Sequence, residues 1–361
     1  MLRNPFFHRQ AVTRPEHFFG RGELLRQVTE MIRGGQSCAL VGERRIGKSS
    51  LLVCLSDPRA HDPWLDAKET LLPISLDFLG FREVGAADLW VEILEALAEA
   101  GGVRPSGEPS FTGVRRLLRA LTREGARIVL LCDEFELAVE NPHLDESFFG
   151  ALRSLAASAG VAFVTASRLS LLELDQYRDE AIRRKVLGSP FFNIFAEFAV
   201  GPFEGVEVAE LLEGSLRGQP LRFVTADALF LDRVAGRHPY FLQVAAYHLF
   251  ECLARSPSRD RTKIHTEVSE RLARDSAKIF RNFWLHSQQE ERRALALLAA
   301  GEGDRLSGER FGDNLLARLE QRGLARSDGG ASRPFSTLFR DWLLAGPSES
   351  GGGHGSREPE G

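Results

Sequence analysis

Gly42-Glu43-Arg44-Arg45-Ile46-Gly47-Lys48-Ser49 fits the pattern G-x-x-x-x-G-K-[ST] at each fixed position. The chemistry this spacing serves is polyphosphate binding. Gly42 and Gly47 allow a tight backbone turn whose N–H groups point inward at phosphate oxygens. The helix that begins with Ser50-Leu51-Leu52 adds the positive end of its dipole. Lys48 neutralises charge on the β and γ phosphates, and the Ser49 hydroxyl ligates magnesium. A bare match can be an ordinary glycine turn with a surface lysine. Here a short apolar strand leads in and a helix leads out, which is the context the motif requires.

A second group of residues completes the chemistry. The apolar run Arg127–Cys132 delivers Asp133-Glu134. Asp133 would hold magnesium, directly or through water, and Glu134 would orient and activate the attacking water. An acidic pair after a buried strand is often a solvated turn, but beside a complete phosphate loop the two features predict each other. Glu136, two residues on, reads as a surface charge. Val161–Thr165 runs into Ala166-Ser167-Arg168. If that strand lies between the first and third, Arg168 stands where a cation can distinguish ATP from ADP. The alternative is a capping Ser167 and a solvated Arg168, and both stand. Arg183-Arg184-Lys185 reads either as a solvated basic helix end or as a finger toward a neighbouring subunit.

The elements that must position these residues follow from periodicity. Ser37–Val41, Leu72–Leu76, Arg127–Cys132, Val161–Thr165 and Glu197–Val200 read as strands, with Ala87–Glu99 and Glu146–Ala157 among the helices between them. Strands alternating with helices predict an α/β domain with a parallel sheet over residues 1–202. After Gly201-Pro202 the pattern turns helical: Glu204–Leu216, Ala226–Ala235, Tyr240–Ala254 and Lys263–Phe283 predict a helical lid over 203–288. Residues 289–345 read as helix (Glu290–Ala300), helix (Phe311–Arg322), a hairpin turning at Ser327–Gly330, and a last helix (Thr337–Leu344). That is the outline of a winged helix. The tail 346–361 is Gly/Ser/Pro/Glu-rich and predicts disorder.

Composition narrows the function classes. The 361 residues carry a formal net charge of −4, which exerts no global pull toward nucleic acid or anionic lipid, although a local basic patch is still allowed. No apolar run approaches the roughly 20 residues of a membrane span, and Met1–Gln10 lacks the apolar stretch of a secretory signal. Cys38, Cys54, Cys132 and Cys252 are widely spaced and form no CxxC pair, so neither a disulfide framework nor a zinc site is expected. The expected setting is the cytoplasm.

Several stretches together resemble the STAND ATPases and their archaeal-type AAA-like relatives. Phe18-Phe19-Gly20-Arg21-Gly22-Glu23-Leu24 is similar to the family's F-x-G-R opening, and the phosphate loop to its paired-arginine version. Ser189-Pro190-Phe191-Phe192-Asn193, Val200-Gly201-Pro202-Phe203 and Gly236-Arg237-His238-Pro239-Tyr240 also fit, as does Pro334–Leu343 for the end of the winged helix. The resemblance covers about residues 15–345. It implies a sheet ordered 5-1-4-3-2, with ATP or ADP and magnesium bound along Gly42–Ser50. It implies that Phe19, Gly20 and Arg21 approach the adenine and that Pro239 touches the nucleotide from the helical domain. Pro239 also suits the first turn of a helix, and the two roles are compatible. Similar proteins are switches, closed with ADP and open or assembled into oligomers with ATP. The repeat array and effector domain of larger members are not recognisable here, so either sensing and output are expected in protein partners or the chain is a stripped-down ATPase module.

Three functions compete. One is a nucleotide-controlled switch that hydrolyses ATP slowly and works with those partners. The alternative is a DNA-loading or DNA-remodelling ATPase of the origin-recognition or transposition type, acting through Arg310, Arg318, Arg322, Arg326 and Arg333 of the winged helix. The leucines of Phe311–Arg322, with Asp313 and Glu320, read more readily as a packing module than as a recognition helix. A third is a module that holds ATP without turnover, against which Glu134 argues.

Overall fold

The computed structural model describes residues 2–6, 10–57, 70–104, 108–157, 161–170, 190–306, 312–328 and 331–347. Arg183, Arg184, Lys185, Ser189, Arg310, Phe311 and the residues beyond 347 lie outside them. Two compact units emerge: Met1–Arg222 with Arg237–Tyr247, and Phe223–Gly236 with His248–Gly361.

The first unit is built on a five-stranded parallel sheet: β1 (Ser37–Val41), β2 (Thr70–Asp77), β3 (Ala126–Asp133), β4 (Val161–Ser167) and β5 (Phe195–Ala199). The spatial order is β2-β3-β4-β1-β5, as the resemblance implied. β4 thus lies between β1 and β3, with Cys38 opposite Val164 and Leu130 opposite Phe163. The two-residue period of a strand sorts the core. Ile128, Leu130 and Cys132 of β3 face one apolar cluster, together with Phe163, Trp90 and Leu97. Val129 and Leu131 face the other, together with Val164, Val28, Ile32 and Leu51. The helices covering these faces are α1 (Gly22–Arg33), α2 (Lys48–Ser56), α3 (Ala86–Ala100), α4 (Phe111–Arg123), α5 (Glu136–Glu140) and α6 (Glu146–Ala157). A sheet covered on both faces explains why β3 reads as a continuous apolar run.

Strand β5 starts two residues earlier than its apolar pattern predicts. Among the described residues it sits at the sheet edge and pairs with β1 alone, where Phe195 meets Ser37. Pairing, not periodicity, sets its start. Helix α7 (Gly205–Ser215) also belongs to this unit. It opens with a capping box in which Glu204 and Glu207 exchange bonds with each other's backbone.

The second unit contains α8 (Thr225–Ala235), the later part of α9 (Pro239–Arg255), α10 (Arg261–Leu285), α11 (Gln289–Ala300) and α12 (Gly312–Gln321). An antiparallel pair follows, β6 (Ala325–Asp328) and β7 (Ala331–Pro334), and then α13 (Thr337–Leu344). Phe280 and Phe283 of α10 meet Phe339 of α13 edge-on or tilted, and Phe335 and Trp342 extend the aromatic cluster. Among the described residues no helix is long and apolar enough to cross a membrane.

Candidate functional site at the strand ends

The phosphate loop leaves β1 at Val41. The Gly42 amide donates to Ser167 O at 3.2 Å, tying the loop to the end of β4. A Cβ on Gly42 would lie 2.3 Å from Val200 O, so only glycine fits there. Gly47 closes the loop at φ +108°, another conformation that favours glycine. Ile46 is fully buried and anchors the loop in the core. Arg45 adopts φ 64° with its guanidinium 4.6 Å from the Tyr240 ring centre, while Arg44 is exposed and Glu43 buried. Helix α2 starts at Lys48, so its first amides face the loop.

Lys48 is only 8% exposed, and its Nζ donates to Gly42 O at 2.8 Å and Glu43 O at 3.2 Å. Burial lowers its pKa. The charges that raise it back are, strongest first, Glu136, Glu134, Glu43 and Asp133. The ammonium therefore faces the acidic end of β3, as two linked motifs require. Ser49 is half-buried beside it. Ser50, expected along the nucleotide, has its hydroxyl committed to the Val12 amide at 3.0 Å.

Asp133 closes β3 in register with Asp77 of β2. Its Oδ1 accepts the Glu134 amide at 3.0 Å. Glu134 is held at φ 49°, a left-handed conformation uncommon outside glycine, of the kind that concentrates at functional sites. The Phe135 amide donates to Ala166 O at 3.0 Å, so the turn carrying both acids is stapled to β4. Glu136 is the correction. It is 6% exposed, not a surface charge. One of its oxygens accepts the Arg168 amide at 3.2 Å, while the other is buried with no hydrogen-bond partner among the described residues. Burial pushes its carboxyl pKa up. Reading Glu136 as solvated follows its residue type. The signal available in the sequence is the apolar pair Leu137-Ala138 directly behind it. Arg168 itself is half-buried at the end of β4, and its guanidinium has no partner among the described residues.

The N-terminal motif divides its roles. Arg21 is 9% exposed. Its guanidinium donates to Pro202 O and Ile46 O, both at 3.4 Å, and to Gly201 O, and it lies 4.7 Å from the Phe203 ring centre. Its own amide donates to Glu207 at 2.6 Å. Arg21 thus staples the phosphate loop to the segment after β5. Phe19 and Gly20 line a cavity of about 640 Å³ with Phe18, Leu25, Cys54 and Gly214. Phe19 packs so closely on α7 that a Cβ at Gly214 would lie 2.4 Å from its ring. Pro239 is the first residue of α9. Before it, His238 is 1% exposed, and burial together with the Arg21 charge lowers its pKa to about 3.

The donor set suits a hard divalent cation: one hydroxyl, Ser49, and carboxylates at the end of β3. Backbone amides at the start of α2, with Lys48, suit a polyphosphate. The residues present therefore fit magnesium and a nucleoside triphosphate.

No family model and no curated relative matches the chain. Solved structures do. The Walker-type ATPase of Pyrococcus abyssi superposes with TM-score 0.62 at 17% identity, covering 93% of this chain and 98% of its own. The ORC2 protein of Aeropyrum pernix, solved as ADPNP-ADP complexes, gives TM-score 0.57 at 14% identity over 90% of this chain and 93% of its own. Its ADP form gives 0.56 at 12% identity over 94% and 96%. At these identities the likeness is one of fold, and the fold is that of P-loop ATPases of this archaeal kind.

Proposed function

We propose that the chain is a magnesium-dependent ATPase. The observation that carries this is the buried Lys48 ammonium, seated in a glycine-closed loop at the start of α2 with Asp133, Glu134 and Glu136 among the charges acting on it. In this reading Gly42–Ser49 hold the triphosphate, Lys48 turns from the loop carbonyls to the phosphates, and Ser49 and Asp133 hold the metal. Magnesium supplies charge neutralisation and alignment of the phosphates. Glu134 accepts the proton of the attacking water, and Arg168, at the end of β4, senses the terminal phosphate. Phe19 and Gly20 border the space for the base, Arg21 holds the loop in place behind it, and Pro239 reports the nucleotide to the helical lid. Isothermal calorimetry and phosphate release test this: the wild-type chain binds and hydrolyses magnesium-ATP, whereas Glu134→Gln binds it and loses about a hundredfold or more in turnover. Turnover unchanged in that variant would remove Glu134 from its role.

For what the ATPase acts on, two features favour the origin-recognition alternative over a STAND-type switch with protein partners. The first is the fold shared with the ORC2 protein. The second lies in residues 289–345, which we assign as a winged helix, and in α8. Arg233, Arg326, Arg333 and Arg340 line a cavity of about 290 Å³ with Asp232 as its one acid. Arg326 pairs with Asp232 at 3.3 Å and Arg340 donates to Ala299 O at 3.0 Å, while Arg233, Arg333 and Arg340 are exposed. Arg318 and Arg322 of α12 are half-buried and pair with the buried Glu291 at 3.0 and 2.5 Å. Phosphate contacts are therefore expected from the α8, hairpin and α13 face, and not from the helix that would read bases. Fluorescence anisotropy on duplex DNA checks this. Arg233→Ala with Arg333→Ala should weaken binding uniformly across sequences and make the salt dependence shallower, by about one in slope for each arginine replaced. Sizing with ATP and with ADP reports nucleotide-dependent oligomers, and salt-insensitive or absent DNA binding returns the choice to the protein-partner switch.

A further inference from the structure

Glu136 is the one acid of the strand-end cluster to which the ATPase mechanism gives no task, and it is the most buried. Its two oxygens have different fates. One accepts the Arg168 amide at 3.2 Å. The other is shut away from solvent with no donor among the described residues. A buried acceptor without a donor is expensive, and folded proteins leave few of them. The position gives it meaning. Glu136 follows the turn of Asp133 and Glu134, is the strongest carboxylate acting on Lys48, and grips the backbone of the residue expected to sense the γ phosphate. It therefore acts on the loop lysine through its charge and on the end of β4 through a hydrogen bond.

We propose that Glu136 is a positioning residue of the hydrolytic site. One oxygen fixes the end of β4 at Arg168. The other accepts a hydrogen bond from a water that enters with magnesium-ATP, and so links phosphate occupancy to the Arg168 backbone. A purely structural carboxylate would have both oxygens satisfied within the fold. The inference rests on the ATPase reading above.

The test compares full-length wild type, Glu136→Gln and Glu136→Asp. Gln keeps the volume and can keep the Arg168 bond through its carbonyl, but it presents an amide in place of the free oxygen. ATP affinity is measured by calorimetry with magnesium and with EDTA, turnover by phosphate release, and stability by thermal unfolding. For Glu136→Gln we expect affinity in EDTA within about twofold of wild type. The magnesium-dependent gain in affinity should fall about tenfold, with KM for magnesium-ATP rising in step, and kcat should fall about tenfold to a hundredfold, as loss of one hydrogen bond to a charged group implies. Glu136→Asp should recover part of the magnesium response. Wild-type kcat and magnesium response in Glu136→Gln would overturn the proposal. So would a fall in melting temperature that lowers binding and turnover in parallel, since that marks a packing role. A wild-type chain that neither binds nor hydrolyses ATP would instead bring down the ATPase reading, and this inference with it.

Discussion

Asp227 and Glu291 in the second unit and Glu136 in the first are all nearly inaccessible to solvent, at 0%, 3% and 6% exposure, yet the fold treats them differently. Asp227 receives Arg261 at 2.8 Å, His265 at 2.9 Å and the Val224 amide at 3.0 Å. Glu291 accepts Arg322 and the Gln288 amide, the latter at 2.8 Å, on one oxygen and faces the Arg318 guanidinium at 3.0 Å with the other. Both cap helices, and each of their oxygens faces a cation or a backbone amide. Glu136 accepts only backbone amides, its own and that of Arg168, and keeps one oxygen without a hydrogen-bond partner among the described residues. The histidines differ in another way. His265 stacks on Phe230 and bonds Asp227, whereas His238 packs on Phe241 and is held neutral by burial beside the positive charge of Arg21. The second unit pairs its buried charges to hold one structure. The first leaves charges partly matched where a ligand is expected to complete them.

The largest expected effect lies at the centre of the unmatched cluster. Lys48→Ala removes the only cation that the phosphate loop aims at the acids of β3, leaving Glu136, Glu134 and Asp133 mutually repelling. ATP affinity by calorimetry should fall at least about a hundredfold, because a buried charge-assisted interaction is removed. Tight binding retained in this variant would show that the loop is not the phosphate site, and the contrast between the units would lose its functional meaning.

On the satisfied side, the same operation should act on stability. Asp227→Ala leaves Arg261 and His265 without their acceptor and uncaps α8. Unfolding free energy should drop by about 3 kcal/mol, read by denaturant titration, while ATP affinity stays within about twofold. Loss of turnover without loss of stability would mean that Asp227 belongs to the functional machinery and that degree of satisfaction does not separate the two classes.

How much of this is legible in the sequence varies by element. The strands, the phosphate loop and the acidic strand end are readable, because buried parallel strands are continuous apolar runs and a polyphosphate site needs glycine, lysine and carboxylate at fixed spacing, whereas the strand order comes only from the family resemblance. Helix α4 is not among the expected elements, although Ser110 caps it by accepting the Gly113 amide at 3.3 Å, and a serine ahead of an amphipathic run is a start signal. The place of Glu136 is harder to see. Whether a glutamate is solvated depends on what a neighbouring strand brings over it, and β4 lies in sequence well downstream. Likewise the commitment of Arg21 to the carbonyls of Ile46, Gly201 and Pro202 depends on three distant segments converging.

Acid titration gives a smaller, graded effect. His238 ordinarily titrates near 6.5, and burial holds it near 3 in the folded chain. Between these values the unfolded chain binds a proton that the folded chain does not, so stability must fall as pH falls. The contribution is fully present above pH 6.5 and diminishes by about 1.4 kcal/mol per pH unit below it, until the folded-state value is reached. Chemical denaturation at pH 7.5 and 5.0 should show this slope in the wild type and a flatter one in His238→Gln. Equal slopes in the two would assign the acid sensitivity to other groups.

The smallest effect is the control for the whole contrast. Glu23 is hydrogen-bonded by Arg26 and Gln27, which lower its pKa to about 2, a shift as pronounced as any among the described carboxylates. It is also fully open to water on the outer face of α1, with a side chain 65% exposed. Exposed ion pairs contribute little, because water and salt screen them and ordering two long side chains opposes the gain. Glu23→Gln should therefore shift the melting temperature by no more than about 1 °C and leave ATP turnover unchanged. A larger shift would mean that the number of partners governs a carboxylate's contribution regardless of burial. The distinction between Asp227 and Glu136 would then have to be drawn from their hydrogen bonding alone.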